Sequence, residues 1–488
     1  MKPKKCTGKI RYLQSLLNEK QISCKELTER YLKSAKECNK KINAYVKLTE
    51  DVALKGAEKV DKKISEGIEL NPIEGIPMSL KDNIFTKGIE TTCCSKMLKG
   101  YIPDKDAVVW KTLKDNNAIL LGKTNMDEFA MGCTCKTSCF GNVKNPHDLS
   151  RIPGGSSGGS AAAVCADISV YSMGTDTGGS IRQPSSFCGV VGLKPTYDFL
   201  SRVGVVDFAS SLDCVGPIAS TVEDVAILYD VFAKANLKNK TIFAYDNLNK
   251  NINGIKMGLP KQCFVSLDKD VEKSIENAID VYTSLGVKFV ELDMPIISYA
   301  LSIYYVLATS EAVSNFSRFD GVHFGNGLCY KCENKFDLIA KNRADGFGDE
   351  VKRRLLLGAY MLNSDVGNMY MAKSKEIRKK IENSFIEIFK KCDIILTPTV
   401  SNTASKHDFV PTDQMQSYIS DICTVPANMS GIPAISIPCG MDNKKMPIGL
   451  QLLANKFNEP LLLNVAHKFE VTAGFEILNS VKKMGANL

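Results

Sequence analysis

Apolar residues recur along this chain with two different periods, and the switching between them sets the expected architecture. Leu27, Tyr31, Ala35 and Cys38 fall three or four apart and mark one face of a helix. Ser23 opens it, Glu26 completes a capping box three residues on, and Ile22 is placed to staple against Leu27. Asp106 is expected to cap a second helix running to about Lys114, followed by a strand over 118–121. Thr221 begins another capped helix, and 255–259 reads as a strand. Val271, Ile275, Ala278, Tyr282 and Leu285 trace a helix that Gly286 stops before a strand over 287–292. Strands are expected again over 393–396, 434–437 and 448–452. Helices alternating with strands in this way predict an α/β fold, a central sheet covered by helices on both faces.

Composition narrows this only a little. A chain of 488 residues could hold two or three domains, but no repeat or linker divides it. A hydrophobic share of 44% supports a sizeable core. The formal charge of +8 is modest, and the Lys-rich stretches read as solvated helix faces. Residues 1–5 are basic, yet no signal-peptide core follows and no run reaches the length of a membrane span, so a soluble, cytoplasmic protein is expected. The 17 cysteines scatter through core-like segments, as at Cys165, Cys188 and Cys392, which fits reduced, buried thiols better than a disulfide framework. Cys329 and Cys332 form a lone CxxC, and without a second pair at zinc-finger spacing a metal site there is disfavoured, even with Cys133, Cys135 and Cys139 as partners.

Chemistry concentrates in residues 153–182, two glycine-and-serine turns separated by a short apolar stretch. Gly154, Gly155, Gly158 and Gly159 bracket Ser156 and Ser157, while Gly178 and Gly179 lead into Ser180, so bent backbone presents the hydroxyls. Successive amides in such turns can converge on an anion, as acyl transfer requires. A flexible linker is the bland alternative, but the stretch from Ala161 to Met173 is apolar except for Asp167 and suits a buried helix and strand. A phosphate loop lacks its Gly-Lys-Ser/Thr ending here, and Gly122-Lys123-Thr124, which does carry it, follows strand-forming residues. A serine nucleophile needs a base. The four histidines all lie outside both turns, although a triad can assemble in space. Lys81 is the better candidate, since it follows an apolar run that reads as a strand entering the core. Burial would have to bring its pKa from about 10.4 toward ~7 to 8. Ser156 could then relay the proton.

The set Lys81, Ser156 and Ser180, embedded in PGGSSGGSAAAV and GTDTGGSIRQPSSFCGVVGLKPT, resembles the amidase signature family of Ser-cis-Ser-Lys hydrolases. The resemblance implies that Ser180 is the nucleophile, Ser156 the middle serine joined by a cis peptide to the residue before it, and Lys81 the base. It implies an oxyanion hole from the amides of Thr177, Gly178 and Gly179, reaching to Ser180. It also implies a mixed sheet and a single domain over 1–488, with N-terminal helices over about 7–45 packed on it. GKTNMDEFAMG from Gly122, RFDG from Arg318 and GFGDEVKRR from Gly346 are similar, within that family, to the A subunits of tRNA-dependent amidotransferases. Such proteins free ammonia from glutamine by way of an acyl-enzyme. A B subunit then uses ATP with Mg and the ammonia to amidate Glu-tRNA(Gln) or Asp-tRNA(Asn), and a small C subunit holds the two together. The implied substrate is therefore glutamine and the implied partners are B and C subunits in a heterotrimer, with tRNA met through the partner. No cofactor or metal is expected in this chain. A glutamine head group carries a carboxylate and an ammonium, so its pocket calls for an arginine and an acid. The resemblance assigns Arg354 to the carboxylate, Asp421 to the amine and Tyr305 to a hydrogen bond with the head. One departure from the family pattern is the loop Cys133-Thr134-Cys135-Lys136-Thr137-Ser138, which puts a lysine where an acid is common.

Overall fold

The computed structural model describes residues 8–235, 243–327, 332–409 and 421–473. Among them, eleven strands join in one sheet: β1 (Tyr45–Leu48), β2 (Pro77–Lys81), β3 (Ile119–Thr124), β4 (Tyr171–Asp176), β5 (Val191–Lys194), β6 (Cys214–Ala219), β7 (Lys256–Pro260), β8 (Lys288–Leu292), β9 (Ile394–Pro398), β10 (Ala434–Met441) and β11 (Pro447–Ala454). They lie in the order β1-β3-β2-β4-β6-β5-β10-β11-β9-β7-β8. β2 runs parallel to both β3 and β4, and β7 runs parallel to both β8 and β9. All other neighbours are antiparallel, so the sheet is mixed.

Both faces are covered, as the strand period requires. In β9, Ile394 and Leu396 enter one apolar core while Ile395, between them, enters another. Helices Val222–Ala235, Lys269–Ser284 and Glu459–Ala473 contribute to the first core, and Ala300–Phe316 contributes to the second. The protein is a single α/β domain. Every strand expected from the sequence falls on an observed strand, and the apolar run before Lys81 is β2.

Local signals explain some of the helix starts. In helix Cys24–Ile42 the Ser23 hydroxyl accepts from the Glu26 amide at 3.1 Å and the Glu26 carboxylate accepts from the Ser23 amide at 3.0 Å. Its buried Leu27 and Tyr31 join Ile10, Leu13 and Leu17 of helix Lys9–Asn18 in the first core, so the N-terminal helices pack on the sheet domain. Thr221 caps its helix by accepting from the Asp224 amide at 3.1 Å. Asp106 is not a cap. Helix Val108–Asp115 starts one residue too late for it, and its carboxylate instead accepts from the Lys87 amide at 2.7 Å and pairs with Lys114 at 2.9 Å.

Contrary to the sequence expectation, one segment among the described residues, Pro295–Phe316, is by length and composition long and apolar enough to cross a membrane. More than half of its most apolar window is buried in the domain, where it supplies the second core. Of the CxxC pair, Cys329 lies outside the described residues and Cys332 is half-buried.

Candidate active site

Adjacent strands β2 and β4 end side by side, and the side chains at their ends converge. Lys81 closes β2 and is fully buried. Its Nζ lies 2.7 Å from Ser156 Oγ, 2.9 Å from Ser157 Oγ and 2.8 Å from Thr175 Oγ1. Burial draws its pKa down to about 8, against the opposing pull of Cys135 and the carboxylates of Asp127, Asp176 and Asp213. At that value roughly a tenth of the amine is neutral at pH 7, against about one part in 2500 for a free lysine.

Asp127 holds the first serine turn in place. Its carboxylate accepts from the amides of Thr134 and Cys135 at 3.1 and 2.9 Å and from the Thr137 hydroxyl at 2.9 Å, while its own amide donates to the Ser156 carbonyl at 3.2 Å. A Cβ at Gly155 would stand 2.1 Å from this carboxylate, which leaves room for glycine alone. The Gly155–Ser156 peptide is cis. The aberrant loop thus wraps Asp127, and its Lys136 turns outward to donate to the His407 carbonyl at 2.7 Å.

Ser180 ends the second turn, half-buried, and its carbonyl accepts from the Ser157 amide at 3.1 Å, which joins the two turns. Behind this turn lies a buried ion pair. Arg182 grips Asp176 with two nitrogens at 2.9 and 3.0 Å and donates to Gln451, Asn428 and the Thr424 carbonyl at 2.7, 2.7 and 2.9 Å. Burial alone would raise the Asp176 carboxyl, but Arg182 outweighs it and holds the group well below the usual range. Asp176 also accepts from the Gly179 amide at 2.9 Å and from the Ile181 amide at 3.1 Å.

One of the expected oxyanion donors has a partner of its own. The resemblance places the Gly179 amide among the oxyanion donors, yet it donates to Asp176, and the carbonyl of the same peptide, on Gly178, accepts from the Thr424 hydroxyl at 2.7 Å. Gly179 has φ +136°, and a Cβ there would meet Thr424 Oγ1 at 2.4 Å. Among the described residues the amides of Thr177, Gly178 and Ser180 make no hydrogen bond. Thr177 is anchored by its hydroxyl, which donates to Asp213 at 2.6 Å, and the other Asp213 oxygen accepts from the amides of Phe208 and Ala209 at 2.9 and 3.0 Å. Burial pushes the Asp213 carboxyl up to about 7.

The three expected head-group residues come from distant parts of the chain and meet at this turn. Arg354, on helix Asp349–Asn363, is buried with its guanidinium 5.5 Å from the ring centroids of both Phe208 and Tyr305, and its Nε donates to Glu350 at 2.7 Å. Tyr305 and its neighbour Tyr304 lie on Ala300–Phe316. Burial raises both tyrosine hydroxyls, Arg354 draws them down and Asp421 pushes them back up, so all four groups share one neighbourhood. The Asp421 carbonyl accepts from the same Thr424 hydroxyl, at 3.1 Å, that holds Gly178.

Sequence reasoning misses several members of this site: Thr175, Asp127, the Asp176–Arg182 pair, Asp213 and Tyr304. A signal for the ion pair is present, since charged residues inside a buried glycine-rich run must be paired. Nothing local distinguishes Tyr304 from a core tyrosine.

A family model described as amidase matches residues 26–463. The chain belongs to the amidase family. Among its relatives is the A subunit of the Glutamyl-tRNA(Gln) amidotransferase of Prochlorococcus marinus (strain MIT 9215), 47% identical over 92% of this chain and 95% of that protein. The A subunit of the enzyme of the same name from Clostridium botulinum (strain Hall / ATCC 3502 / NCTC 13319 / Type A) is 44% identical over 95% of this chain and 96% of its own. The crystal structure of the A subunit of Glutamyl-tRNA(Gln) amidotransferase from Thermotoga maritima superposes with a TM-score of 0.77 at 35% identity, covering 95% of this chain and 93% of that one. This amidase therefore resembles amidotransferase A subunits over nearly its whole length.

Proposed function

We propose that this amidase hydrolyses the side-chain amide of glutamine and supplies the ammonia to a partner protein that amidates Glu-tRNA(Gln). The observation that carries the chemistry is the fully buried Lys81 amine 2.7 Å from Ser156 Oγ. Its surroundings support that role. The Ser157 hydroxyl donates to the Thr175 carbonyl at 3.0 Å, so its oxygen is left to accept, and the Lys81 amine donates to Ser157 Oγ and Thr175 Oγ1 at 2.9 and 2.8 Å. A neutral amine gives them its two N–H bonds and turns its lone pair to Ser156. Lys81 takes the Ser156 proton as Ser156 takes that of Ser180, and Ser180 attacks the amide carbon. The amides of Thr177, Gly178 and Ser180 support the oxyanion. The proton then returns along the same path to the departing ammonia, and water releases glutamate from the acyl-enzyme.

Arg354 takes the substrate carboxylate, Asp421 the ammonium and Tyr305 a hydrogen bond with the head group. The near-full-length likeness to subunits named for Glu-tRNA(Gln) supports this choice of substrate and of B and C subunits as partners in a heterotrimer. On this reading tRNA, ATP and Mg belong to the partner's half-reaction, and no cofactor or metal enters the step at Ser180. The fifteen described cysteines are all free, which supports a reducing compartment such as the cytoplasm.

The test is ammonia release from glutamine, with and without B and C subunits, ATP and Glu-tRNA(Gln). Glutamine-dependent formation of Gln-tRNA(Gln) by the assembly is the expected result. Full-speed hydrolysis of varied small amides by the chain alone, with no response to partners, would replace this reading with that of a stand-alone amidase. Ser180→Ala is expected to abolish turnover and leave the melting curve unchanged.

A further inference from the structure

Gly178 is where the serine turn touches the head-group cluster. A Cβ built on it would stand 3.0 Å from Cε2 and Cζ of Tyr304 and 3.3 Å from the tyrosine hydroxyl. Tyr304 is only 6% exposed, and its ring meets that of Tyr305 edge-on, with centroids 5.3 Å apart at 83°. Arg354, whose guanidinium lies 5.5 Å from the Tyr305 ring centroid, draws the Tyr304 hydroxyl down against the rise that burial gives it. The remainder of the turn is fixed by other groups: Asp213 holds the Thr177 hydroxyl, Asp176 the Gly179 amide and Thr424 the Gly178 carbonyl. Gly178, whose N–H faces the oxyanion on the mechanism above, thus has the Tyr304 ring packed beside its Cα.

The geometry points to Tyr304 as a positioning residue with two contacts, its ring holding the Gly178 amide in place and its hydroxyl orienting Arg354 for the substrate head group. The second contact rests on the reading of glutamine as substrate, whereas the first does not. Arg354 has the carboxylate of Glu350 on one side and the faces of Phe208 and Tyr305 on two others, which leaves its terminal nitrogens for a neutral hydroxyl and for substrate.

Two variants separate the contacts. Tyr304→Phe keeps the ring and removes the hydroxyl, while Tyr304→Leu removes the ring. If the leucine variant does not fold, Tyr304→Met takes its place. The full-length chain is labelled at Ser180 with a small fluorophosphonate that has no head group. In parallel, kcat and KM for glutamine are measured with the partner subunits present. Tyr304→Phe should melt and label as the parent does, with KM for glutamine raised about fivefold and kcat little changed, the loss of one hydrogen bond. Tyr304→Leu should slow both labelling and kcat by about tenfold, short of the 10²–10³ that follows outright removal of an oxyanion donor. A merely structural role would lower the fraction of protein that labels and leave the labelling rate of the folded fraction untouched. Parental labelling rates in the leucine or methionine variant overturn the contact with the turn. An unchanged KM and kcat in Tyr304→Phe overturn the contact with Arg354. If the parent labels at Ser180 but never hydrolyses glutamine, the substrate reading fails, and the labelling rates still decide the role of the ring.

Discussion

A lysine can act as a base near neutrality only where the protein makes its charged form costly, and Lys81 meets that condition because no water reaches it and three hydroxyl oxygens surround it. The proposed base works as the neutral amine. Raising the pH through about 8 deprotonates it, so kcat/KM is expected to climb with pH and level off above that value. A profile flat from about pH 6 to 9 would show that another group takes the proton. Lys81→Ala should lose about 10²- to 10⁴-fold in turnover, the usual contribution of a positioned base. At this scale the sequence is legible where chemistry contradicts surroundings. A lysine ending an apolar strand and serines between glycines both demand an explanation, whereas Thr175 and Tyr304 occupy positions where a threonine in a strand and a tyrosine in an apolar helix are ordinary.

Elements enter through the salt bridge behind Ser180. Asp176 ends β4 and Arg182 begins helix Arg182–Cys188, and the guanidinium continues to Gln451 on β11 and Asn428 on helix Val425–Ser430. One arginine therefore fixes four elements around a turn whose own amides are bound to Asp176. Arg182→Met should destabilise by about 3–5 kcal/mol in urea denaturation, since it leaves a buried carboxylate unpaired. Adding Asp176→Asn should recover part of that stability while turnover stays low, because the neutral amide cannot accept from Gly179 and Ile181 as a carboxylate does. Ser23→Ala, far from the site, should cost only ~1 kcal/mol, the value of one helix cap. Caps at Ser23 and Thr221 can be read locally because their partners lie three residues away. Asp106 misleads because the amide it accepts from, that of Lys87, comes from another segment.

Strand order and residue pairing belong to the whole molecule, and no periodic pattern encodes them: β5 pairs with β10, more than 200 residues on, and Arg354 reaches Tyr305 and Phe208 only because the helices around the second core fold back over the sheet end. Hydrophobic periods give each element and its buried face, while the crossover connections decide which faces meet. What composition does convey at this scale is the destination of the thiols. Twelve of the fifteen described cysteines are buried, Cys133 and Cys332 are half-buried and Cys139 is exposed. Burial pushes the thiol pKa up, to about 12 at Cys24 and Cys165 and about 11 at Cys392, which removes the reactive thiolate at neutral pH. Seven of the twelve lie in the two large cores on either face of the sheet and four more in smaller buried clusters, so a cooperative fold should expose them together. Titration with a disulfide reagent along a urea series is therefore expected to release the twelve buried thiols in a single step that coincides with loss of circular dichroism. Release in two separated steps would divide the chain into independently folding halves, and rapid reaction of all twelve in the native protein would contradict the packing itself.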